Sequence, residues 1–150
     1  MADDKLDTKL ISEAEDLCKV VNVLYDAIKS EELINRSILT ASEQAIKRLP
    51  NNDKARNLNE SIKALFQRYD SYYYYFKESS SNFLDVMCCV NNSELFDEFY
   101  DNNLQKLTKD LEDNIDQIKK MISDKKDLDA DRSLLYQRAR TEGFLILDNL

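Results

Sequence analysis

Residues 55–76 read ARNLNESIKALFQRYDSYYYYF, and within them Ala55, Leu58, Ile62, Leu65, Tyr69, Tyr72 and Phe76 recur at steps of 3, 4, 3, 4, 3, 4. Alternating steps of three and four keep every one of these side chains on one face of an α-helix, whereas a strand would need every second residue. The same register runs on through Ser79, Phe83, Val86 and Val90, so the Ser79–Ser81 run interrupts the stripe once without shifting its phase. One helix over about 53–90 is expected, roughly 55 Å long at 1.5 Å per residue.

Working outward, residues 4–29 carry a second heptad seam in Leu10, Ala14, Leu17, Val21, Leu24 and Ile28. Leu falls at one seam position and Ala, Val or Ile at the other, an arrangement that suits few-stranded helix packing. Ile34, Ile38, Ala41, Ala45 and Leu49 extend helical spacing to Leu49-Pro50, and the stretch 4–49 is open to one kinked helix or two, with Ser30 as the cap of a second. Asp3, Asp4 and Asp7 lie where negative charge suits a helix N-terminus.

The chain has one Gly and one Pro, so the residues that build hairpins and sandwich corners are almost missing. Asn takes over the turn chemistry, in pairs at Asn51-Asn52, Asn91-Asn92 and Asn102-Asn103, because Asn tolerates left-handed backbone better than most residues. These pairs are the first candidates for breaks. Asp53 is expected to cap the helix after the first pair, and Asn92 or Ser93 the helix after the second.

Beyond residue 93 the apolar stripe of Leu95, Phe96, Phe99, Tyr100, Leu104, Leu107, Leu111, Ile115, Ile118 and Ile122 drifts as a 3.6-residue helix does. The segment SDKKDLDADRS, residues 123–133, is polar enough for a loop or an exposed helical connection. A last helix through Leu134, Leu135, Ala139, Leu145 and Ile146 closes the chain, weakened near its end by Gly143. The expected fold is therefore all-α: one domain over residues 1–150, an elongated up-and-down bundle of three long helices plus a C-terminal helix, with coiled-coil-like seams.

Composition narrows the chemistry. With no His, imidazole triads, imidazole metal ligands and the usual near-neutral general base are ruled out. Acidic pairs such as Glu94 with Asp97 or Asp110 with Asp113 follow from an acidic helix surface, and no calcium-loop spacing accompanies them. Cys88-Cys89 and Cys18 match neither a zinc set nor a disulfide framework. A single glycine makes no phosphate cradle. No enzyme activity, cofactor, metal or small-molecule substrate is expected.

The net charge is −8, with 15 acids and 9 bases in residues 81–150 against 14 and 12 in residues 1–80. That field disfavours nucleic acid and anionic membrane surfaces. Neither an apolar leader nor an 18-residue apolar run is present, so a soluble cytoplasmic or nuclear protein is expected.

By elimination, the expected function is a non-enzymatic protein-protein interaction module, an adaptor or a coiled-coil subunit of a cytoskeletal, kinetochore or tethering type of assembly, in homo- or hetero-oligomers. The alternative is a self-contained regulatory bundle that holds a helical motif of a partner in an aromatic-lined groove. The candidate partner-binding residues are Tyr73, Tyr74, Tyr75, Phe96, Phe99 and Tyr100. In the register of the helix expected over 53–90, Tyr72 falls in the seam and Tyr73 and Tyr75 on its flanks, while Tyr74 shares a column with Glu60, Gln67 and Ser81. A tyrosine on that polar face is the one out of place.

Overall fold

The computed structural model describes residues 6–142, and these form α-helices and short turns only: α1 (Thr8–Arg48), α2 (Asp53–Asn91), α3 (Ser93–Tyr100) and α4 (Leu104–Thr141). Of the stretch 4–49, Thr8–Arg48 is one uninterrupted helix and Ser30 caps nothing, while Asp3 and Asp4 lie outside the described residues. Asp7 caps α1 instead, its Oδ1 accepting the Lys9 N–H at 2.9 Å. Lys47 and Arg48 occupy the last turn, where positive charge suits the carbonyl end.

The three Asn pairs mark the three breaks, and in each pair the second Asn caps the helix that follows. Asn52 Oδ1 accepts from the Ala55 N–H at 3.1 Å. Asp53, expected to be that cap, is instead the first helical residue and pairs with Arg56. Asn92 accepts from Glu94 and Leu95 at 3.0 and 3.2 Å, and Asn103 accepts from Lys106 at 3.2 Å. Capping by Asn satisfies amide donors that the first helical turn leaves unpaired.

Two departures from expectation lie after residue 93. The drifting stripe conceals a stop at Tyr100: Asp101 and Asn102 take φ of 50° and 61°, left-handed values that end α3 after eight residues. The polar stretch 123–133 takes the helical of its two expected forms and runs on without a break, so α4 is the last long helix and the separate C-terminal helix expected after it does not begin among the described residues. Gly143, Leu145 and Ile146 lie outside the described residues.

The described residues group into two compact units. The first comprises the residues up to Tyr25 together with Tyr74–Ser123; Phe83, Leu111, Ile118 and Met121 are its most deeply buried large side chains. Within it Tyr25 of α1 stacks on Phe76 of α2 at 6.2 Å, and Gln117 of α4 donates to the Tyr75 hydroxyl at 2.6 Å. Lys119 of α4 pairs with Glu13 of α1.

The second unit comprises Asp26–Tyr73 and the residues from Asp124 on, around Leu58, Ile62 and Ile38. The turn at 49–52 makes α1 and α2 antiparallel there, and a buried Asn59 donates to Ser42 across them at 2.9 Å. The α2 seam is filled by the chain itself: Ala55, Leu58, Ile62, Leu65, Tyr69 and Tyr72 are buried in this unit, Phe76, Ser79, Phe83 and Val86 in the other.

Candidate functional site

The six residues singled out from sequence fall in different environments. Tyr74 is 70% exposed and Phe99 62% exposed, both in the first unit. Tyr75 is half-buried, its hydroxyl engaged by Gln117. Phe96 stacks on Tyr100 at 6.4 Å, and Tyr100 is buried under Lys106, whose Nζ stands 5.9 Å from the ring. Burial, then the hydrogen bond with Asp110, pushes the Tyr100 phenol above its ordinary value, as befits a packed side chain. Tyr73 belongs to the second unit, where it is half-buried and lines a cleft.

That cleft has a volume of about 670 Å³ and lies between α1 and α2 of the second unit. Phe66, Tyr69, Tyr72 and Tyr73 form its α2 wall because steps of three and four place them on one side of the helix. Glu31 and Asn35 stand on the α1 wall. Leu33, 70% exposed, and Ile34 add apolar surface on the same stretch of α1.

From α4 a charged cluster braces both walls. Lys125, 4% exposed, donates to the two Asp129 carboxylate oxygens at 2.7 and 2.6 Å and lies 2.7 Å from Glu31 Oε2. The Glu31 contact is an ion pair out of hydrogen-bond alignment, which leaves Oε2 as the buried side-chain oxygen without a hydrogen-bond donor among the described residues. Arg132 donates to Asn35 Oδ1 at 3.3 Å and stands 3.7 Å from Glu31.

Tyr69 is the hub of this cluster. Its hydroxyl reaches Asp129 Oδ1 at 2.9 Å and the Leu128 carbonyl at 3.3 Å, and its ring lies beneath Lys125 at 5.9 Å and Arg132 at 5.4 Å. Burial first, and the Asp129 hydrogen bond with it, raises the phenol above its ordinary value of 10, against the lowering effect of Arg132. Lys125, Asp129 and Arg132 escape a reading of the sequence because they sit in the polar stretch expected to be a connection. Their spacing, i, i+4, i+7, is the signal that would have found them: one face of a helix.

A second cleft, about 750 Å³, lies in the first unit and is lined by Cys18, Leu84, Met87 and Cys88 among others. Burial, then Glu15, raises the Cys18 thiol; burial, then Cys88, Asp85 and Glu98, raises that of Cys89. Both stay protonated at neutral pH, the opposite of an activated thiolate. Among the described residues no three His, Cys, Asp or Glu side chains gather as a metal site, and no helix is long and apolar enough to cross a membrane.

What the second unit's cleft offers chemically is shape and aromatic surface: its volume lies within the range of about 300–1,000 Å³ of ligand sites, its Glu31 is paired with Lys125 and Arg132 of α4, and its Glu32 with Arg36. Comparison of the chain with known protein families, with curated proteins and with solved structures gives no match.

Proposed function

We propose that this chain is a non-enzymatic protein-protein interaction module that receives a helical segment of a partner in the aromatic cleft of its second unit. The observation that carries this is the cleft wall of Phe66, Tyr69, Tyr72 and Tyr73, faced across the cleft by Ile28 and Leu39 of α1, with exposed Leu33 beside the cleft on the same helix. An amphipathic helix docks by laying apolar side chains into such a groove, and aromatic walls supply much of the binding energy in interfaces of this kind. Adaptor or assembly-subunit work fits the same module. A partner completing the α2 seam is the less favoured mode, because those seam residues are already buried within the chain.

Affinity capture from native lysate tests the proposal with Leu33→Ser and Tyr73→Ala beside the natural protein, and with Tyr74→Ala as a surface change in the first unit. Leu33→Ser should lose the captured partner with stability changed by no more than about 0.5 kcal/mol, as expected for a surface substitution. Tyr73→Ala should lose it too, and Tyr74→Ala should keep it. Retention of the same partner by both the cleft variant Tyr73→Ala and the flanking variant Leu33→Ser would place binding elsewhere.

A further inference from the structure

Residues 124–141 of α4 are held in the second unit by unusual means. The apolar side chains they bury are Leu128 and Ala139, while Leu135 and Tyr136 are half-buried and Leu134 is 67% exposed. Residues 104–123 of the same helix bury Leu107, Leu111, Ile115, Ile118 and Met121. The later segment relies on charge instead: Lys125 on Glu31, Asp129 on Tyr69, Arg132 on Asn35 and Glu31, and Arg68 on Asp131 at 2.9 Å.

These contacts specify position more than they supply attachment. Desolvating Lys125 and Glu31 offsets most of what their attraction returns, and Arg68–Asp131, with both side chains about half exposed, adds little. Apolar burial, the dominant favourable contribution to folding, is thin here. We propose that residues 124–141 are a releasable strap, which unseats from α1 and α2 of the second unit by local opening while residues 104–123 remain folded.

Opening would free Tyr69, Glu31 and Asn35, three side chains that also wall the cleft. The strap stands on its own contacts and does not depend on the cleft taking a partner. It would give the bundle a conditional surface.

Hydrogen-deuterium exchange of the full chain, followed by peptide across a series of low denaturant concentrations, tests it. Amides of 124–141 should be protected at least roughly tenfold less than those of 104–123, through an opening that depends weakly on denaturant. Lys125→Met leaves Glu31 short of a buried partner and should lower protection of 124–141 by roughly a hundredfold or more, leaving 104–123 unchanged. The double variant Glu31→Leu with Lys125→Met removes both charges and should restore protection of 124–141 to the natural level or above it. Equal protection of the two segments in the natural protein overturns the strap, as does an equal loss in both on Lys125→Met. Should Lys125→Met not fold, the natural protein and the double variant decide between these outcomes.

Discussion

Asn52, Asn92 and Asn103 each close a helix start with a side-chain oxygen, and each follows another Asn. The duplication has a local reason: one Asn ends or leaves the preceding structure while the next turns back on the new helix. Asn102 makes this visible, taking φ 61° immediately before the capping Asn103. The cap is therefore separable from its neighbour. Asn92→Ala should cost about 1 kcal/mol, a fall of roughly 2–4 °C in Tm for a chain of this size. Asn91→Ala, at the last position of α2, should cost less. Thermal unfolding followed by circular dichroism compares the two, and an equal loss from both would mean that the Asn92 side chain is not the cap that matters.

At the scale of elements, Tyr69 ties α2 to α4, and its environment sets a pH dependence. Asp129, Lys125 and Arg132 face it from α4, and Glu31 from α1. Its phenol is raised in the folded state above its ordinary value of 10, so folding holds a proton that the unfolded chain releases earlier. The stability this represents is complete below pH 10 and declines as pH climbs through the folded value. Tyr69→Phe should lower stability by about 1.5–3 kcal/mol at pH 7, the range for a hydrogen bond to a charged group. The gap between natural protein and variant should narrow above pH 10, measured by urea unfolding at a series of pH values. A gap that widens with pH would mean that the hydroxyl is not held protonated by its surroundings.

The same elements show what a sequence discloses and what it does not. The α2 seam is legible because each of its members from Ala55 to Phe76 is buried, so periodicity and packing coincide. The end of α3 is obscured because apolar residues continue in step on both sides of Asp101, and the turn depends on two backbone angles rather than on hydrophobic pattern. The helix over 123–133 is obscured for the opposite reason. Its inward face is Lys125 and Leu128, and the partners of Lys125 and Arg132 on α1, Glu31 and Asn35, are more than ninety residues away in the sequence. Of the candidate site, Tyr74 is exposed as an aromatic on a polar face should be, Phe99 is exposed although it belongs to the apolar stripe, and Tyr73 lines a cleft. Tyr100 looks the same in sequence, yet it is core.

Over the whole molecule the deciding quantity is a charge of −8 on 150 residues. Two electrostatic effects compete when salt is added. Screening relieves repulsion among the excess carboxylates, which stabilises the compact state. It also weakens exposed pairs such as Arg36–Glu32, each worth only about 0.2–1 kcal/mol. The buried pair of Lys125 with Glu31 is screened far less. Exposed pairs therefore have little to lose while the net field has much to relax, and repulsion should win. Raising NaCl from about 20 to 200 mM shortens the screening length from roughly 20 to 7 Å, and Tm should rise by about 2–4 °C, the equivalent of about 1 kcal/mol for a chain of this size. Replacing Asp113 and Asp116, both exposed on α4, by Asn should raise Tm at low salt and shrink the salt-induced increase, because each change removes one unit of the excess. A Tm that falls with salt would show that ion pairs, rather than the excess charge, govern the electrostatics of this bundle.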